Sequence, residues 1–169
     1  MATFSIEGSD FERLDWRLLQ NGAVSLYCRH DVLDADLDWL WKHGYRVAEL
    51  DGRWSDADAM HAAFAKTLSF PDYYGKNLDA LNDCISDLDV QDGGLVLVFR
   101  RFDAFASRHR AVAQAVLDIL AHNARRFLLF GRRLIVLVQS DDPKISFEPI
   151  GATAVGWNPK EWSHKDRGV

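Results

Sequence analysis

Two uninterrupted apolar runs constrain this chain more than any other feature: "LVLVF" at residues 95–99 and "RLIVLV" at 133–138. A half-solvated strand alternates apolar and polar residues, whereas a continuous run suits a strand covered on both faces. Between the runs lies "RHRAVAQAVLDILAHNARRF", in which Val112, Val116, Ile119 and Leu120 recur at helical spacing. Strand, long helix and strand describe a parallel pair joined by a right-handed crossover. The expected class is α/β, with a mainly parallel sheet and helical crossovers.

The preceding chain reads in the same alternation. "YRVAELDG" is a strand ending in an Asp51-Gly52 turn, and Ser55 is placed to cap a helix whose apolar side carries Met60, Ala63, Phe64 and Leu68. Pro71 ends that helix, and Asn77 is placed to cap another over 78–88. Nearer the N-terminus, Asn21-Gly22 separates "WRLLQ" from "AVSLYC", a hairpin signal because both central residues of a type I′ turn need positive φ. "DVLDADLDWLWKHG" then predicts a helix burying Leu33, Leu37, Leu40 and Trp41, with Gly44 as terminator. The expected organisation is an N-terminal extension of hairpin and helix packed on the core (1–44), a main α/β domain (45–140) and an irregular tail (141–169).

Several function classes are disfavoured. The start lacks the basic and apolar segments of a secretory signal, and no run approaches the roughly 18 apolar residues of a membrane span, so a soluble cytoplasmic protein is expected. Cys28 and Cys84 form no Cys-x-x-Cys pattern, and the six histidines show no metal-binding spacing, so no metal or other cofactor is expected and the histidines suit surface or capping roles. "DADLD" at 34–38 begins like a calcium loop but has Trp39 where glycine is required and Tyr45 where glutamate is required. No nucleophile elbow, phosphate loop or dinucleotide fingerprint is present, so no enzyme is expected. A formal net charge of −5 argues against direct nucleic-acid binding, which needs a basic face.

That charge is local. Residues 70–92, "FPDYYGKNLDALNDCISDLDVQD", hold six of the 25 acidic residues and one of the 20 basic ones, leaving 19 of each elsewhere. In the helix after Asn77, Leu78, Leu81, Ile85 and Leu88 form one stripe, while Asp79, Asn82, Asp83 and Ser86, with Asp87 beside them, form another. Aspartates four residues apart repel by roughly 0.2–0.5 kcal/mol per pair, and Asp87 meets the unfavourable end of the helix dipole. Interleaved lysines would relieve this at no cost to folding. A solvated face that only aids solubility is the simpler reading, but acceptors without cations suit a cationic partner.

The same stretch closely resembles the signature of the barstar family, intracellular inhibitors of barnase-type bacterial ribonucleases. It carries Tyr-Tyr-Gly, then Asn-Leu-Asp-Ala-Leu and Asp-Cys in order, and the similarity runs from Tyr45 to Gln139. The resemblance implies a barstar-like fold and a small basic ribonuclease as protein partner. It implies that Tyr73, Asp79 and Asp83 face the enzyme, that Asp83 stands in for a substrate phosphate, and that Ser86 adds a hydroxyl. Asn82 lies in the same surface where the family has an exposed aromatic, and Leu88 where a second aromatic lies. Tyr74, Gly75, Asp87 and His122 are peripheral candidates; His122 aligns with an acidic residue that supports the interface. Two functions from different classes remain: a ribonuclease inhibitor or immunity protein, and a barstar-fold interaction module that no longer inhibits.

Overall fold

The computed structural model describes residues 10–161. Among them are strands β1 (Val24–Tyr27), β2 (Arg46–Asp51), β3 (Leu95–Arg100), β4 (Leu134–Gln139) and β5 (Gly156–Trp157). They form one sheet in the order β2-β3-β4-β1-β5, with every strand pair parallel. The two apolar runs become β3 and β4, in which Leu95 faces Leu134 and Phe99 faces Val138 in register. Every residue of β4 is buried, as expected of a central strand with both faces covered. The mixed α/β class with a parallel sheet is therefore as the sequence indicates.

Among the described residues six α-helices accompany the sheet: α1 (Leu14–Leu19), α2 (His30–Lys42), α3 (Ala57–Leu68), α4 (Leu78–Ser86), α5 (Phe102–Ala106) and α6 (Arg110–Leu129). The pair α1 and α2 pack together, while α4 and α5 each pack on α6. Parallel neighbours need crossovers, and right-handed crossovers in opposite directions along the sheet put these two groups on opposite faces. Gly93 precedes β3 where two loops cross: a Cβ there would lie 2.0 Å from the Gly44 carbonyl oxygen. Only glycine permits that approach.

The N-terminal segment departs from expectation. The stretch expected as the first hairpin strand is α1, which buries Leu14, Leu18 and Leu19, and the chain enters β1 only afterwards. Gly22 has φ +105° and its N–H bonds the Leu19 carbonyl at 3.3 Å, so the Asn-Gly pair ends a helix. Positive φ serves a helix C-terminus as well as a hairpin turn, which is why the dipeptide misleads. Nor is β1 packed on a finished core, since it is a sheet member between β4 and β5.

The tail is more regular than expected. β5 continues the sheet beyond β1, and the Asn158 N–H donates to the Leu26 carbonyl at 2.8 Å. Buried Glu161 accepts from the N–H groups of Cys28 and Arg29 at 3.1 Å each, placing a carboxylate at the positive end of α2. Asp36 on α2 accepts from the Tyr27 hydroxyl at 2.8 Å and from Asn158 Nδ2 at 3.1 Å, and it pairs with Lys160. Buried polar groups are mostly held by such bonds, so the network pins residues 158–161 to α2 and β1.

Three smaller corrections follow from packing. Trp41 is 69% exposed, and Trp39 packs partly on the core instead, stacked on His43 at 3.6 Å. The α3 cap is Asp56, whose carboxylate accepts from the Ala59 N–H at 2.8 Å, while Ser55 donates to Asp56. His61 is buried against Tyr74. No helix among the described residues is long and apolar enough to cross a membrane, and no group of three or more potential ligands is placed to hold a metal.

Candidate protein-binding face

The face is built from the loop after α3 and the outer side of α4. Ser69, at φ 55°, terminates α3, and the Tyr74 N–H bonds the Pro71 carbonyl at 2.9 Å to form a tight turn. The turn separates the two tyrosines. Tyr74 is buried, packs edge-on against Phe70 at 4.9 Å, and hydrogen-bonds through its hydroxyl to His61 Nδ1. Burial pushes its pKa up to about 12, so it stays a neutral structural anchor. Tyr73, by contrast, is 87% exposed. Gly75 is exposed and passes close to the α4 start, where an added Cβ would come 3.2 Å from Asn77 Nδ2.

Asn77 caps α4 as its sequence position predicts: its side-chain oxygen accepts from the Ala80 N–H at 2.8 Å. Asn77→Ala is expected to cost about 1 kcal/mol, seen as a melting temperature lower by roughly 2–4 °C. An unchanged melting curve would mean that packing alone holds the helix. That packing comes from Leu81 and Ile85, both fully buried, with Leu78 and Leu88 half-buried; the helix ends at Ser86 rather than 88.

The outer side carries Asp79, Asp83 and Asp87, all exposed. No ion pair between described residues involves any of the three, nor any other residue of 70–92. Elsewhere Asp15, Asp31, Asp34, Asp36, Asp38, Glu49 and Asp51 have a Lys or Arg partner, while Glu12, Asp56, Asp58, Asp103, Asp118, Asp142, Glu148 and Glu161 form no ion pair with a described residue. The last turn of α4 also lacks a basic residue. Cys84 registers the resulting field, since burial, followed by the charges of Asp87 and Asp83, pushes its thiol pKa up. Cys84 is a free thiol.

Other candidates are placed differently from expectation. Ser86 Oγ donates to the Asp83 carbonyl at 2.8 Å, so its hydroxyl offers a partner an acceptor rather than a free donor. Asn82 is half-buried and turned towards α6, where its oxygen accepts from Asn123 Nδ2 at 2.9 Å. It ties two helices together instead of projecting outwards. His122 is exposed on α6 but lines a groove with Leu19, Gly22 and Thr153, away from Asn82 and Ser86. The α6 side chain that hydrogen-bonds α4 is Asn123, which sequence reasoning missed; an asparagine one position from the aligned residue carries no local signal.

Residues 45–139 match the profile of the family described as Barstar (barnase inhibitor). The chain belongs to the barstar family. The matched span begins at the Tyr45 that leads into β2 and ends at the last residue of β4. Over 72 residues the chain is 36% identical to "Putative ribonuclease inhibitor YrdF" of Bacillus subtilis (strain 168), covering 42% of this chain and 77% of that protein. A chain in the structure of Drosophila ORC bound to AT-rich DNA and Cdc6 superposes with a TM-score of 0.50 at 16% identity. That match covers 95% of this chain and 59% of the other, and it is a likeness of fold alone. In this barstar relative, β1 and β5 lie outside the family span and widen its three strands, β2, β3 and β4, into a five-stranded sheet.

Proposed function

We propose that this chain inhibits a small basic ribonuclease of the barnase type, without chemistry of its own, by laying α4 into the enzyme's cationic active site. Asp83 and Asp79 take the place of RNA phosphates, and Tyr73 covers the rim. The observation that carries the reading is the stripe of three exposed α4 carboxylates one turn apart, in a stretch with six acidic residues against one basic and no ion pair to any described residue. A carboxylate without an internal partner meets an incoming cation with no bond to break first. Membership of the barstar family supports the same partner class. A second reading, a barstar-fold interaction module that no longer inhibits, draws on Asn82, held against α6 where the family presents an aromatic.

The test is inhibition of RNA cleavage across a panel of small basic bacterial ribonucleases, barnase included. The inhibitor reading expects stoichiometric inhibition of at least one enzyme. It also expects association to slow as salt shortens the screening length from about 30 Å at 0.01 M to about 3 Å at 1 M. Barnase and barstar are themselves the reference case for such steering. Inhibition of none of the panel would transfer the fold to the interaction-module reading.

A further inference from the structure

At the C-terminal end of α4 the surface changes character. A groove of about 620 Å³ runs between Ser86, Asp87 and Leu88 on one side and Arg126, Phe130 and Arg132 on the other. Phe130 is 76% exposed, and its neighbour Leu129 is 79% exposed. Two consecutive apolar side chains left in water at a helix end do nothing for the core, and with the groove they form a patch that continues the α4 face. Arg126 and Arg132 form no ion pair with any described residue. In the groove wall, Asn123 is 1% exposed; its Nδ2 is used by Asn82 and by the Ile119 carbonyl, and its Oδ1 has no partner.

These features combine into one surface with two signs. Along α4 the carboxylates ask for cations, while one step further the two arginines ask for an anion beside an apolar contact. We infer that the groove between α4 and the end of α6 is a second, specificity-determining subsite, taking a surface loop of the ribonuclease that presents a carboxylate next to an apolar side chain. This rests on the inhibitor reading above. The loop's carboxylate meets Arg126 and Arg132 in the forked geometry that guanidinium groups favour. Its apolar neighbour packs on Phe130. Phe130, at the C-terminal cap of α6, supplies the aromatic contact beside the end of α4, and the choice among basic ribonucleases is made at this edge.

The experiment uses whichever panel ribonuclease the full chain inhibits, with binding kinetics measured for Phe130→Ala, for Arg126→Glu combined with Arg132→Glu, and for Asp83→Ala. Thermal melting controls for folding; all three sites are exposed. Phe130→Ala is expected to raise the dissociation rate at least tenfold. The double charge reversal discriminates more sharply. If the groove were not contacted, two added negative charges would speed association with a basic enzyme and tighten binding. Contact with a carboxylate instead predicts at least tenfold faster dissociation. Weakening by Asp83→Ala with Phe130→Ala unchanged and the charge reversal neutral or tighter would overturn the groove alone. Inhibition of no panel member would overturn the ribonuclease reading and the subsite together.

Discussion

Asp83→Ala is expected to weaken binding of any ribonuclease that the native chain inhibits by about 2–5 kcal/mol, which is roughly thirtyfold to several thousandfold. Barnase–barstar measurements themselves contribute to that range. The loss is large because docking buries the enzyme's cations, and removing the central carboxylate leaves them desolvated without a counter-charge. The free protein should be unaffected. Asp83 is exposed, holds no ion pair with a described residue, and has like charges one turn away on either side at Asp79 and Asp87. Its removal relieves repulsion of roughly 0.2–0.5 kcal/mol per pair, so the melting temperature stays level or rises slightly. A melting temperature several degrees lower would make Asp83 a structural residue and remove it from the interface.

Asp15→Ala is expected to act in the opposite way, costing about 3–5 kcal/mol of stability and lowering the melting temperature by roughly 6–20 °C. Asp15 is fully buried on α1, where it accepts from Arg13 Nη2 at 2.7 Å, from the Tyr45 hydroxyl at 2.7 Å and from Arg133 Nη1 at 3.4 Å. Deleting it strands the buried Tyr45 hydroxyl and takes one acceptor from the largely covered Arg133 guanidinium, which keeps its bond to the Asp92 carbonyl. Burial pushes the Asp15 pKa up, but the hydrogen bonds from Arg13 and Tyr45 and the Arg13 charge outweigh it, and the net shift is downwards. A lowered folded pKa means that the contribution is present above the ordinary carboxylate value of about 3.9 and is lost as pH falls through the folded one. Asp15→Asn, which keeps the volume, should lack that part of the acid-induced fall in melting temperature. Parallel acid profiles for native and variant would show that the carboxylate charge contributes nothing.

The two predictions separate surface from interior, and the sequence distinguished these unequally. Asp79, Asp83 and Asp87 were legible as an outward stripe because helical periodicity assigns faces once Leu81 and Ile85 are known to be apolar. Asp15, Asp36 and Glu161 were not legible at all. A buried carboxylate looks like a surface one in sequence, since its partners Tyr45, Tyr27, Lys160 and the Cys28 and Arg29 amides come from other elements. Tyr73 and Tyr74 show the same limit within two residues: the resemblance made both candidates for the binding face, but only packing against Phe70 and His61 decided which ring was spent inside.

Read from residues alone, the apolar runs of β3 and β4, the periodic faces of α3, α4 and α6, and the Asn77 cap were already specified, because each depends on neighbours within a turn or a strand. The barstar motif, also a local pattern, carried the family. The placement of β1 between β4 and β5, the use of Asn21-Gly22 to end a helix, the locking of the tail by Glu161, and the turning of Asn82 towards Asn123 all came from the folded molecule. Each is a choice among locally equivalent conformations. Free energy from partners far along the chain makes that choice, and such energy leaves no periodic trace in the residues it selects.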